Sequence, residues 1–85
     1  MSADTLVVQK SARKKLHKLP AQVHRKIIIR LRVIKENPLV GAKLHGELSG
    51  FYKLRVGDYR IVYEFDSKSK TVIVLKIEHR QGVYR

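Results

Sequence analysis

"FYKLRVGDYRIVYEF" (residues 51–65) decides how this chain folds. Two runs rich in β-branched and aromatic residues flank Gly57-Asp58, the pattern of a hairpin with a two-residue turn. In the second run Tyr59, Ile61, Tyr63 and Phe65 alternate with Arg60, Val62 and Glu64. Successive side chains of a strand point to opposite faces, so the first set predicts the buried side and the second the open side. Tyr52, Leu54 and Val56 alternate with Lys53 and Arg55 in the same way. The reading therefore gathers Lys53, Arg55 and Arg60 as cross-strand neighbours on the face away from the core. Like charges placed opposite each other are destabilising. Only Asp58 and Glu64 lie close enough in sequence to neutralise them. A cation cluster with so little local compensation predicts an anion site.

Working outward, the polar "DSKSK" link leads from the strand at 59–66 to a further strand at 71–78. There Ile73, Leu75 and Ile77 read as the apolar side, with His79 in phase with them. Upstream, "LVGAKLHGELSG" (39–50) contains Gly41, Gly46 and Gly50 and reads as a loop. Before it, "AQVHRKIIIRLRVIKE" (21–36) puts Val23, Ile27, Leu31 and Ile34 on one stripe. His24, Arg25, Lys26, Arg30, Arg32 and Lys35 fall mostly elsewhere, which predicts an amphipathic helix with a basic outer face. Pro20 marks its first turn, and Asn37-Pro38 its end, because a residue preceding proline is disfavoured in the α region. "KSARKKLHKL" (10–19) spaces Ala12, Leu16 and Leu19 as a shorter helix with Ser11 as N-cap. "DTLVVQ" (4–9) reads as a first strand. The expected architecture is α+β, in the order β-α-α-β-β-β. Two N-terminal helices cover one face of a mainly antiparallel four-stranded sheet, and residues 1–85 form a single domain.

Charge points to the partner. Lys and Arg number 19 against 7 Asp and Glu, a formal +12. Solubility needs a net charge of only about 2–8 in magnitude. The excess favours a polyanion or an acidic protein. Secretion and membrane insertion are not expected: no apolar run is long enough to span a bilayer, and "MSADTLVVQK" lacks a leader pattern. The absence of cysteine suits the reducing cytosol and excludes thiolate metal sites and disulfides. The scattered His17, His24 and His45 have no metal-ligand spacing.

The block "KLHGELSGFYKLRVGDYRIVYEF", the closing "KIEHRQGVYR" and the order of elements resemble the RelE/ParE superfamily of bacterial toxins, the toxin halves of toxin–antitoxin pairs. The resemblance is most specific from Leu44 to Phe65. It implies a metal-free, cofactor-free ribonuclease that cuts messenger RNA on the ribosome in the cytoplasm. It also implies a cognate antitoxin, through which the toxin mainly oligomerises. Position by position, Lys53 falls where the family has a catalytic lysine, and Arg55 where RelE itself has a second lysine. Arg60 matches the arginine that holds the scissile phosphate. Arg80 matches one linked to the leaving group, and Tyr84 a tyrosine that stacks on or orients the substrate nucleotide.

The chemistry this implies is attack of a 2′-hydroxyl on its adjacent phosphate, with one proton removed, a phosphorane stabilised and the leaving 5′-oxygen protonated. Neighbouring cations favour a lysine's neutral form, which makes Lys53 the candidate base. Guanidinium stays protonated, so Arg55 and Arg60 are phosphate clamps. Arg80 stabilises the leaving oxygen, with His79 as a secondary proton carrier, and Tyr84 stacks on a base. Tyr52, Tyr59 and Tyr63 read as packing, while Glu47 and Glu78 could act as bases but have no partner motif. Two alternatives stand beside the nuclease: a ParE-like gyrase poison without nuclease chemistry, and a basic nucleic-acid-binding module with no activity.

Overall fold

In a computed structural model of the protein, which describes residues 2–44 and 50–79, the element order is β1 (Thr5–Val8), α1 (Lys10–His17), α2 (Ala21–Glu36), β2 (Ala42–Lys43), β3 (Phe51–Val56), β4 (Tyr59–Asp66) and β5 (Thr71–His79). The strands form one five-stranded sheet in the order β1-β5-β4-β3-β2. Only the β1–β5 pair is parallel; β5–β4, β4–β3 and β3–β2 are antiparallel. The α+β class and the mainly antiparallel sheet stand as expected. The strand number does not: β2, read as loop, adds an edge strand through Ala42↔Lys53 and Lys43↔Tyr52.

Amphipathic alternation builds the core. Ile27, Leu31 and Ile34 of α2 and Ala12 and Leu16 of α1 meet Tyr52, Val56, Ile61, Tyr63, Val72, Val74 and Ile77 of the sheet. Val23, Leu19, Leu54, Tyr59 and Phe65 pack around them, partly buried. The cap of α1 differs from expectation. Its N-cap is Gln9, with no side-chain cap bond, and Ser11 lies inside the helix. Gly57 turns β3 into β4 with φ 60°, a conformation that glycine adopts without steric cost.

Tyr63 ties the connection after α2 to the sheet. Its hydroxyl donates to the Pro38 carbonyl at 2.7 Å and accepts from the Gly41 N–H at 3.0 Å, and its ring stacks on Tyr52 with centroids 5.3 Å apart. Burial pushes this phenol above its ordinary value of 10.0. A Cβ on Gly41 would stand 2.8 Å from both the Lys53 carbonyl oxygen and the Tyr63 hydroxyl, so only glycine permits this approach. The close contact brings β2 alongside Lys53.

One irregularity shapes the functional face. Val62 pairs with Lys76 but Tyr63 pairs with Val74, leaving Leu75 as an extra residue in β5. Such a bulge re-aims the side chains beyond it. Before it, Val72 and Val74 are the fully buried residues; after it, Ile77 is buried. The uniform apolar set of Ile73, Leu75 and Ile77 is thus corrected to Val72, Val74 and Ile77. Unbroken alternation from Val74 would have turned Lys76 and Glu78 into the core.

Candidate nucleic-acid site

The face opposite the helices carries two cross-strand rows. Arg55 pairs with Arg60 and Arg60 with Glu78, while Lys53 pairs with Val62 and Val62 with Lys76. The rows border an open depression of ≈ 300 Å³ lined by Leu44, Phe51, Lys53, Arg60, Val62, Leu75, Lys76 and Glu78. Its floor is largely apolar and its rim largely cationic. That combination suits a nucleotide, whose base seeks apolar contact and whose phosphate seeks positive charge.

The predicted site residues fare differently. Lys53 and Arg60 both line the depression. Lys53 is exposed, so its side chain is reached by solvent and by a ligand alike. Arg55, also exposed, stands opposite Arg60 in the register but does not line the depression; its Nε points at the Gly57 carbonyl oxygen, 3.5 Å away. That distance is at the limit of a hydrogen bond and leaves the guanidinium available. Arg80 and Tyr84 lie outside the described residues, as does Glu47. His79 pairs with Tyr59 and packs edge-on against its ring at 4.7 Å, on the opposite face from Arg60. It is not part of the depression.

Sequence reasoning missed Lys76 and Phe51, and named Glu78 without the partner that places it. Glu78 matters most, because its Oε1 lies 3.3 Å from Arg60 Nε. The expectation that Arg60 lacks a carboxylate partner is therefore corrected. The partner comes from 18 residues away along the chain, across the β4–β5 pair. No local pattern reveals it, because the contact exists only once the bulge has set the register of β5. The pair is partly exposed, at 29% and 35%, so its worth to stability is ~0–1 kcal/mol. Phe51 shares the face with Lys53, an alternation visible in "FYK", yet it reads as strand filler without the depression beside it. Among the described residues no group of three or more His, Cys, Asp or Glu side chains is placed to hold a metal ion, and no helix is long and apolar enough to cross a membrane.

A small sheet that buries one face under two basic helices and presents clustered cations on the other is the RelE fold. The chain belongs to the family described as the ParE toxin of type II toxin–antitoxin systems, parDE, which it matches over residues 6–84. It is 36% identical over 77 residues to Toxin RelG of Mycobacterium tuberculosis, an alignment covering 88% of each chain. Its structure is similar to a chain of the RelBE2 toxin–antitoxin complex of the same organism, with a TM-score of 0.84 and 33% identity over 94% of this chain and 100% of that one. The isolated RelE toxin of E. coli is similar at a TM-score of 0.78 and 27% identity, over 88% of this chain and 82% of that one.

Proposed function

We propose that this toxin is a ribosome-dependent messenger RNA endoribonuclease that inhibits translation, acting without a metal through 2′-hydroxyl attack on the adjacent phosphate. The observation that carries the reading is the convergence of Lys53 and Arg60 on one apolar-floored depression. Arg60 grips the scissile phosphate, with Arg55 beside it in the cross-strand row, and Lys53 adds positive charge where the phosphorane develops. By the resemblance, Arg80 is assigned to stabilising the leaving oxygen and Tyr84 to stacking on the nucleotide.

The partner is a cognate antitoxin, and the site of action is the cytoplasm. Similar chains occur in toxin–antitoxin complexes from M. tuberculosis and Pyrococcus horikoshii. With a formal charge of +12, this chain suits an acidic partner whose binding weakens as salt rises. The family description supports a second reading, a ParE-like poison of DNA gyrase.

One comparison separates them. RNA ends are mapped for the wild type and for Arg60→Ala/Arg80→Ala, with translating ribosomes present and absent. Cuts by the wild type alone, and only with ribosomes, are expected. Intact RNA together with gyrase-dependent DNA damage in cells would replace the nuclease with the gyrase reading.

A further inference from the structure

Glu78 is the carboxylate in the described lining of the depression. The bulge at Leu75 puts it there, turning Lys76 and Glu78 outward while Ile77 enters the core. Its contact with Arg60 runs through a single edge of the guanidinium, Nε to Oε1 at 3.3 Å. Charge-assisted contacts are usually nearer 2.7–2.9 Å, so this one is loose. A guanidinium is a planar fork of five N–H donors. With Nε turned to Glu78, the Nη groups remain for an anion in the same plane. A phosphate taken by Arg60 would then lie beside a carboxylate oxygen.

We propose that Glu78 takes the proton of the attacking 2′-hydroxyl, with Arg60 holding both the carboxylate and the phosphate. The inference rests on the ribonuclease reading above and names the base for it. In the step, the 2′-O–H bond breaks and its proton goes to a Glu78 carboxylate oxygen as the 2′-O–P bond forms. The P–O5′ bond then breaks, and the 5′-oxygen leaves with a proton from solvent. The products are a 2′,3′-cyclic phosphate end and a 5′-hydroxyl end, and Glu78 returns its proton to water. A carboxylate accepts a proton directly, whereas an ammonium such as that of Lys53 must first lose one, and guanidinium does not give one up. Lys53 is left with charge stabilisation.

Among the described residues, the charged and titratable groups that line the two depressions bordered by Glu78 are Arg60 from β4, Lys53 from β3, Lys15 from α1, and Lys76 and His79 on its own strand. The excess of positive charge over one carboxylate keeps the site attractive to phosphate.

The test measures single-turnover cleavage of a short messenger RNA on translating ribosomes, across pH, by the wild type, Glu78→Gln and Glu78→Asp. Affinity is measured with the same RNA carrying a 2′-deoxy sugar at the cut. Glu78→Gln is expected to cut about 10²–10⁴-fold more slowly. It should bind the deoxy RNA as tightly as the wild type or more so, and lose the decline in rate toward acid pH. Glu78→Asp should keep that decline and part of the rate. Cleavage by Glu78→Gln within a few-fold of wild type, with the acid decline intact, overturns the assignment. So does faster cleavage with tighter binding, which would make Glu78 a counter-ion, or loss of binding with a lowered melting temperature, which would make it structural. A wild type that cuts nothing removes the ribonuclease reading itself, a result distinct from all of these.

Discussion

The two faces of the sheet are made by the same strands and follow opposite rules. On the covered face Ile61, Tyr63, Val72 and Val74 are fully buried, and the Tyr63 hydroxyl is bonded on both sides. On the open face Arg55 stands opposite Arg60, a like-charge pair that costs some tenths of a kcal/mol up to about 1. The Arg60–Glu78 pair alongside it returns ~0–1 kcal/mol. The covered face is satisfied throughout, whereas the open face holds charges that stability does not explain. Local conflict of that kind is expected where a site has been kept for function.

Substitutions should therefore separate cleanly by face. Outside Arg60 and Glu78, the largest effect belongs to Lys53→Ala, with a loss of about 10²–10³-fold in single-turnover RNA cleavage, the scale for removing one charge stabiliser. Its unfolding free energy in a urea titration should stay within about 0.5 kcal/mol of wild type, as for other exposed positions. Equal loss of stability and activity would mean that the open face is structural after all.

Next comes Tyr63→Phe, which strands the Gly41 N–H and the Pro38 carbonyl without their partner. A destabilisation of about 1–3 kcal/mol is expected, with cleavage per folded molecule retained. It also has a pH signature. The folded phenol titrates above its ordinary 10.0, so the stability it lends is complete below pH 10.0 and is lost as pH rises through the raised value. Alkaline melts of the wild type should show this loss, and those of Tyr63→Phe should lack that component. A matching alkaline decline in both proteins would place the effect on other tyrosines.

The smallest effect lies on neither face. Lys70 holds φ 52° where β4 turns toward β5, and its carbonyl accepts from the Asp4 and Thr5 N–H groups. A left-handed conformation costs an L-residue about 1–2 kcal/mol, part of which glycine would return as unfolded-state entropy. Lys70→Gly should therefore stabilise by up to about 1 kcal/mol and leave cleavage unchanged. A destabilised variant would show that the Lys70 side chain matters more than its backbone.

How much of this was legible in the sequence follows the same division. The strands at 51–56 and 59–66 and the helix at 21–36 coincide with β3, β4 and α2, because each has an unbroken period set by local sterics and turn chemistry. Lys53, Arg55 and Arg60 fell on one face for the same reason. The run from Val72 to Leu75 is apolar at every position, so alternation has nothing to register there, and the bulge stayed hidden. With it went the outward turn of Glu78 and its pairing with Arg60. The short β2 was equally silent, since it depends on the approach of Gly41 to Tyr63 and Lys53. The roles read for Arg80 and Tyr84 concern residues outside those described, and remain proposals from resemblance.

Arg60 and Ile61 are chain neighbours on opposite faces, so one paired measurement reaches the central claim: RNA cleavage on translating ribosomes and urea unfolding, for Arg60→Ala and Ile61→Ala together. Arg60→Ala should lose the cuts while unfolding within about 0.5 kcal/mol of wild type, and Ile61→Ala should lose about 2–5 kcal/mol while its folded fraction still cuts. Wild-type cleavage by Arg60→Ala would contradict the account.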